Sequence, residues 1–388
     1  MRMITLILSV FMVACFMMAC SSGPPSPDTS AVPTGDVVTQ EVKSEAATFR
    51  VVRLVEDLEH PWAVTWLPDG RMLITERPGR LVLVAGDQID EVSGLPAIGL
   101  EGQGGLMDVA LHPKYGQTGW VYLTHSASDD NGYGTVLVRA QLDGTALTNV
   151  EELYRQQPFV SGGRHFGSRI VFLGDGTLLF SIGDRGKRSP AQDRSNSIGN
   201  VIRLTLDGEV PPDNPFVETE GGLPEIYSYG HRNIQGMIVH PETGDIWAHE
   251  HGPRGGDELN WIRAGINYGW PEITYGREYA TNMNIGGFEA DGMEQPVTYW
   301  DPSIAPSGMA VYDGDTFPGW TGNLFVGALA HQKIQRVVLD GHTVAHQETL
   351  LENELGRIRD VRTGPDGFLY VLIDASEGAL FRLEPIED

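Results

Sequence analysis

Gly230-His231-Arg232-Asn233-Ile234-Gln235-Gly236 sets a guanidinium and two amides between glycines. Two similar runs follow, His251-Gly252-Pro253-Arg254-Gly255-Gly256-Asp257-Glu258 and Asn267-Tyr268-Gly269-Trp270-Pro271. Glycine lets a ligand approach the main chain closely. A cation, an amide and a carboxylate beside such glycines suit a polar ligand held by backbone and side chain together. Arg357 and Arg359 alternate on a predicted strand and so face the same way. Such a pair suits bidentate recognition of carboxylates. His112 and His240 each precede a proline within a turn and read as structural. Gly102-Gln103-Gly104-Gly105 is too short for a phosphate loop and is not set between a strand and a helix. Val160-Ser161-Gly162-Gly163 lacks the flanks of a nucleophile elbow.

The elements that must position these residues are strands. Apolar alternating runs, separated by Pro/Asp/Gly turns, begin near residues 62, 106, 169, 236, 308 and 359. Several units add an outer strand ending in Asp-Gly, as in Arg203-Leu204-Thr205-Leu206-Asp207-Gly208. Four short strands per unit, repeated at this period, predict an all-β, six-bladed β-propeller. Uneven spacing predicts long insertions after the second, third and fourth units, on loops where sites are usually built. The opening strand, from Ala47 to Val55, is expected to pair with the last blade and close the ring, which removes open sheet edges.

The chain starts with one arginine and an apolar run to Ala19, then Cys20-Ser21-Ser22. This reads as a lipoprotein-type signal peptide over residues 1–19, too short for a membrane span. Cys20 would become the lipidated first residue, which makes the protein exported, either periplasmic or anchored to the outer membrane. Residues 20–47, rich in Ser, Pro, Thr and Val, are expected to form a flexible tether, with the propeller spanning 48–388. Cys15 lies in the leader and Cys20 would carry the lipid, so the mature chain has no pair for an intrachain disulfide. With 27 basic and 52 acidic residues the formal charge is −25. That balance excludes nucleic acid as a natural partner, because phosphate binding needs clustered Lys and Arg, and it favours cations such as Ca²⁺.

Taken in order, Gly102-Gln103-Gly104-Gly105-Leu106, Arg164-His165-Phe166-Gly167-Ser168-Arg169, Gly183-Asp184-Arg185-Gly186, the three runs above and Arg357-Ile358-Arg359-Asp360 resemble the soluble PQQ-dependent sugar dehydrogenases. These form the glucose/sorbosone dehydrogenase family, and the aldose sugar dehydrogenase branch is the nearer match. The resemblance covers residues from about 50 to 385. It implies pyrroloquinoline quinone (PQQ) at one end of a six-bladed propeller, with Ca²⁺ bridging it to the protein. It implies oxidation of aldoses to lactones, with electrons passed to an external acceptor. His165 then takes the proton of the anomeric hydroxyl, a task suited to a near-neutral base. Arg232 stabilises the growing oxyanion, and Arg232, Asn233, Gln103, Arg357 and Arg359 contact the cofactor. The main-chain oxygens of Gly252 and Pro253 hold the cofactor calcium. Positions matching Glu258 and Tyr268 hold a second, structural calcium. Tyr279, and the Tyr299-Trp300 pair, are candidates for stacking on the flat cofactor or sugar; His231 and His251 are expected to be scaffold.

The chain departs from the family at Ala330, where a lysine often contacts a cofactor carboxylate; Lys333 is the candidate substitute. Arg164 replaces the acid of the glucose-specialised branch and points to broader aldose acceptance. Two other readings fit a propeller. One is a Ca²⁺-dependent lactonase, which needs metal-bound carboxylates and no quinone pocket, and the other is a non-catalytic surface propeller binding glycan or protein.

Overall fold

The computed structural model describes residues 32–386, almost entirely as β-strand and connecting turns. Six antiparallel sheets form, five of four strands and one of five. Their inner strands are Pro61–Trp66, Leu106–Leu111, Ile170–Phe172, Ile234–Val239, Pro306–Val311 and Ile358–Thr363. Every repeat start read from the sequence falls in or beside one of them. Each inner strand neighbours the next, and the sixth neighbours the first, so the sheets close as blades 1 to 6 of a propeller.

Blade-on-blade packing covers both faces of the middle strands. Met72–Glu76, Leu324–Ala328 and Leu369–Ile373 are therefore buried at every position, whereas the outer strand Gln88–Glu91 is mostly exposed. Between blades 1 and 2, Trp62, Leu73 and Leu83 pack with Val109, Leu123 and Val138. Between blades 5 and 6, Phe325 and Ile334 meet Ile358 and Val371, with Phe49 added from the opening strand.

Thr48–Leu58 pairs with Gly378–Pro385, Val51 opposite Leu383, so the ring closes through the opening strand as its pattern predicts. The tether ends earlier than expected. Asp36–Lys43 is a fifth, outer strand of blade 6, with Lys43 opposite Thr48. A segment poor in large apolar residues orders here because the sheet edge satisfies its main chain. Trp320 and Arg336 also donate to Ser44 and Glu45 in the adjoining turn. The signal peptide and Cys20 lie outside the described residues. Among the described residues no helix is long and apolar enough to cross a membrane.

The long insertions lie inside blades rather than after them. Residues 206–225 separate the third and fourth strands of blade 3, and residues 263–297 those of blade 4. Blade 2 takes its extra length in long strands, Trp120–Asp129, Gly132–Asp143 and Ala146–Arg155.

The inner strands turn charged residues toward the axis. Arg169 of blade 3 meets Asp108 of blade 2 at 3.0 Å and Asp360 of blade 6 at 3.2 Å. Arg362 meets the same two carboxylates at 2.9 and 2.8 Å. The Arg169 Nε donates to the Gln235 carbonyl of blade 4, and Asp108 accepts the Ile170 N–H. Blades 2, 3 and 6 are thus joined by a ring of alternating charge, and blade 4 is attached to it through the Gln235 carbonyl.

Candidate active site

The loops entering the inner strands meet at one end of the ring and enclose two neighbouring cavities. The axial one, of about 390 Å³, is lined by Trp62, Arg77, Gln103, Asn233, Arg357, Arg359 and Asp374, among others. The second, of about 370 Å³, is lined by Gln103, Arg164, His165, Arg232 and Tyr279. Gln103 is common to both walls.

His165 sits just ahead of the first strand of blade 3 with φ of 54°, a left-handed conformation uncommon outside glycine. Its loop is pinned from three sides. The Gln103 Oε1 accepts the His165 N–H at 2.8 Å, and the Asn233 Oδ1 accepts the Gly167 N–H at 3.1 Å. Gly183 lets the main chain pass so close that a Cβ there would lie 2.1 Å from the His165 carbonyl oxygen. Directly after Gly183, the fully buried Asp184 places Oδ1 2.5 Å from His165 Nδ1. Its Oδ2 accepts the indole N–H of Trp270 at 2.7 Å.

Electrostatics sort the protons. Burial pushes the His165 pKa below its ordinary value, the Asp184 hydrogen bond opposes that, and the Arg232 cation adds to the lowering. Asp184 is desolvated, which alone would raise its pKa. Its bonds to His165 and the nearby Arg232 outweigh that and hold it below the usual carboxylate range. At neutral pH the pair is therefore carboxylate and neutral imidazole, with the proton on Nδ1. Nε2 is left as a free base in a ring that lines the second cavity.

Arg232 is anchored by its own loop. Its N–H donates to Glu250, its Nη1 donates to the His251 carbonyl at 2.9 Å, and its guanidinium lies 5.4 Å from the Trp270 ring centroid. Arg357 and Arg359 do face one way. Both line the axial cavity, and Asp374 lies between them, 3.7 Å from the first and 2.9 Å from the second.

His251 lines the axial cavity, and Gly252 and Pro253, both buried, follow it directly. Asp257 fixes that loop. Its carboxylate accepts the N–H groups of Gly252, Ile304 and Ala305 and the Ser303 hydroxyl, all within 2.7–2.9 Å. Burial pushes the Asp257 pKa up to about 6 against those donors. Asp257→Ala would strand three main-chain donors, so stability should fall by at least about 2 kcal/mol. A urea midpoint equal to wild type would refute that role.

Glu258 and Tyr268 lie apart from both cavities, within blade 4 and its insertion. Glu250 is buried and Glu258 partly so, and the Asn260 amide donates to each at 3.3 Å. Burial and the neighbouring Glu250 charge push the Glu258 pKa well up. The Tyr268 hydroxyl accepts from Arg263 N–H and donates to the Trp261 carbonyl, so only its main-chain oxygen is left for a ligand. No group of three or more His, Cys, Asp or Glu side chains placed to hold a metal occurs among the described residues.

Four expectations change. Ala330 donates its N–H to the Ile304 carbonyl, and the cavity wall there is its neighbour Leu329. Lys333 points along blade 5 toward Thr349 and does not replace the missing lysine. Tyr299 stacks on Tyr275 at 4.0 Å, and Trp300 packs in the core of blades 4 and 5; neither ring lines either of the two cavities. His231 and His251 are scaffold. His231 is bonded to Ser228 and Glu250, while His251 Nε2 reaches the Pro306 carbonyl. His112 and His240 cap their turns by accepting the N–H of Lys114 and Glu242.

Sequence reasoning gave no role to Asp184, Trp270 or Asp374. The glycines flanking Asp184-Arg185 were its one local signal. Nothing in the chain near Trp270 or Asp374 announces a partner more than 80 residues away for the first, or an arginine pair on the preceding strand for the second.

The family model for glucose/sorbosone dehydrogenase matches residues 58–382. The aldose sugar dehydrogenase YliI of Escherichia coli is 43% identical over 353 residues, covering 87% of this chain and 94% of that one. The apo crystal structure of the soluble E. coli aldose sugar dehydrogenase superposes with a TM-score of 0.84 at 43% identity, covering 87% of this chain and 100% of that one. The PQQ-bound aldose sugar dehydrogenase of Streptomyces coelicolor gives a TM-score of 0.71 at 28% identity, over 87% and 99% of the two chains. With a family model spanning most of its length and relatives matched nearly end to end, this chain belongs to the glucose/sorbosone dehydrogenase family.

Proposed function

We propose that the protein oxidises aldoses at the anomeric carbon to lactones, with pyrroloquinoline quinone as its redox group and His165 as the base. The observation that carries this reading is the neutral His165, its Nδ1 held by Asp184 and its Nε2 left basic in a cavity that also contains the Arg232 guanidinium. When bound, the quinone supplies an acceptor for the hydride that leaves the sugar carbon. His165 Nε2 takes the proton of the anomeric hydroxyl, and Asp184 stabilises the imidazolium that results. Arg232 offers a fixed positive charge to oxygen on which negative charge grows.

The residues fit the proposed groups. A flat, acidic cofactor suits an axial cavity that carries the guanidiniums of Arg77, Arg357 and Arg359. Gln103 and Asn233 add amides to the same wall. Main-chain oxygens of Gly252 and Pro253 are hard donors suited to Ca²⁺ beside that cavity. The Glu258 carboxylate, set beside the Glu250 charge with only the Asn260 amide as donor, would be stabilised by a second hard cation near the Tyr268 main chain. Tyr279 serves as a wall for the sugar. Residues 1–19 and Cys20 support an exported protein, periplasmic or held at the outer membrane by a lipid anchor, which would pass its electrons to an external acceptor.

Purified protein reconstituted with PQQ and Ca²⁺ should reduce a dye on addition of an aldose, with a matching change in the quinone absorbance. Absence of both, in protein that retains its fold, would refute the reading. Lactone hydrolysis without added quinone would replace it with a hydrolase.

A further inference from the structure

The insertion of blade 4 carries a strap whose Tyr279 lines the second cavity. Its near side is fixed to blade 4, where Arg277 pairs with the Arg254 main chain in both directions and with Asp301 at 2.8 Å. Its tip is closed by the Glu278 carbonyl, which accepts the N–H of Asn282, and by the Glu278 N–H, which donates to Met283. The tip then crosses to blade 3. There the Glu278 carboxylate takes a two-pronged bond from the Arg188 guanidinium, at 2.5 and 2.9 Å. Arg188 occupies a left-handed conformation with φ of 63°, as the first residue of a turn tied down by Gln192 bonding Asn267 and the Trp270 carbonyl.

Tyr279 follows Glu278 directly in the tip, 57% exposed and yet lining the cavity of His165 and Arg232. An aromatic ring so exposed gains nothing from the core. What it has is a place opposite the base, on a strap whose free end is held by one ion pair. We infer that the Arg188–Glu278 pair is a positioning clasp, which holds Tyr279 as the outer wall of the sugar subsite and so sets the affinity for aldose. This rests on the proposed sugar oxidation. Arg188 also lies 5.9 Å from the Trp270 ring that supports Asp184, so a rival role in orienting the base must be separable. The two roles differ in the constant they change: a wall alters KM, whereas a support of the base alters kcat.

The test uses the reconstituted holoenzyme with a monosaccharide aldose such as glucose. Glu278→Gln should raise KM by roughly two- to fivefold, the range of a partly exposed ion pair, with kcat within twofold. Tyr279→Ala should raise KM by roughly two- to tenfold, the range of one aromatic contact. The double variant should show no more than the Tyr279→Ala effect, since both act through the same ring. Exchanging the charges, Arg188→Glu with Glu278→Arg, should restore KM toward wild type. Amide hydrogen exchange over residues 277–284 should speed up in Glu278→Gln alone. An unchanged KM in Glu278→Gln, additive effects, or a fall in kcat in place of a rise in KM would each overturn the clasp. A wild-type holoenzyme that oxidises no aldose would remove the underlying reading and the clasp with it.

Discussion

Replacing His165 by Gln should lower kcat by roughly 10²–10⁴-fold, the usual worth of a positioned general base, while leaving the fold and its unfolding midpoint nearly unchanged. A glutamine amide can still donate to the buried Asp184 while offering no base to the cavity, so the loss is chemical. Asp184→Asn should produce a comparable defect by another route. An amide can donate to Nδ1, which forces the ring proton onto Nε2 and removes the lone pair from the cavity, as the tautomer argument for carboxylate–histidine pairs requires. Steady-state rates with a saturating aldose, beside the denaturation midpoint of each variant, make the check. The acid side of the wild-type profile follows from the same pair. Burial and the Arg232 charge hold His165 below its ordinary value of 6.5. Activity should therefore be full above that value and decline only at lower pH, as the base takes up its proton. A His165→Gln enzyme within tenfold of wild type would show that another group takes the proton.

The second large effect concerns the axis. Arg169→Met should destabilise the propeller by about 3–5 kcal/mol, because it leaves Asp108 and Asp360 buried with a single cation between them. Both carboxylates are fully buried and Arg169 is nearly so. The same change removes the bond to the Gln235 carbonyl and the packing of the guanidinium over Trp62, 4.4 Å from its ring centroid. Arg362→Met should cost less, since that side chain reaches solvent and Arg169 would remain to answer both acids. Urea midpoints at neutral pH decide the order. If Arg169→Met lies within 1 kcal/mol of wild type, the ring of charge is not what joins blades 2, 3 and 6.

Much of this was legible in order along the chain. The six inner strands could be read because each blade repeats one local grammar, an apolar alternating run closed by a Pro/Asp/Gly turn, and local grammar needs no knowledge of neighbours. Closure by the opening strand was legible for a similar reason, since Thr48–Leu58 is rich in Val, Leu and Phe like the blade strands. The fifth strand, Asp36–Lys43, was not. Its composition is that of a linker, and it orders only because a sheet edge lies beside it.

For the site, the sequence alone determined which residues were chemically apt: a histidine among glycines, an arginine and amide in one turn, two arginines on one strand face. Tertiary structure alone decided their partners. Asp184 became the orienting acid of His165 through the close pass at Gly183, and Trp270 reached it from an insertion in the next blade. Lys333 and Tyr299, apt by type, were turned away by the register of their strands. The physical reason is the same in each case. Strand periodicity is written in neighbouring residues, whereas hydrogen-bond distance between loops of different blades is set by how the whole ring packs.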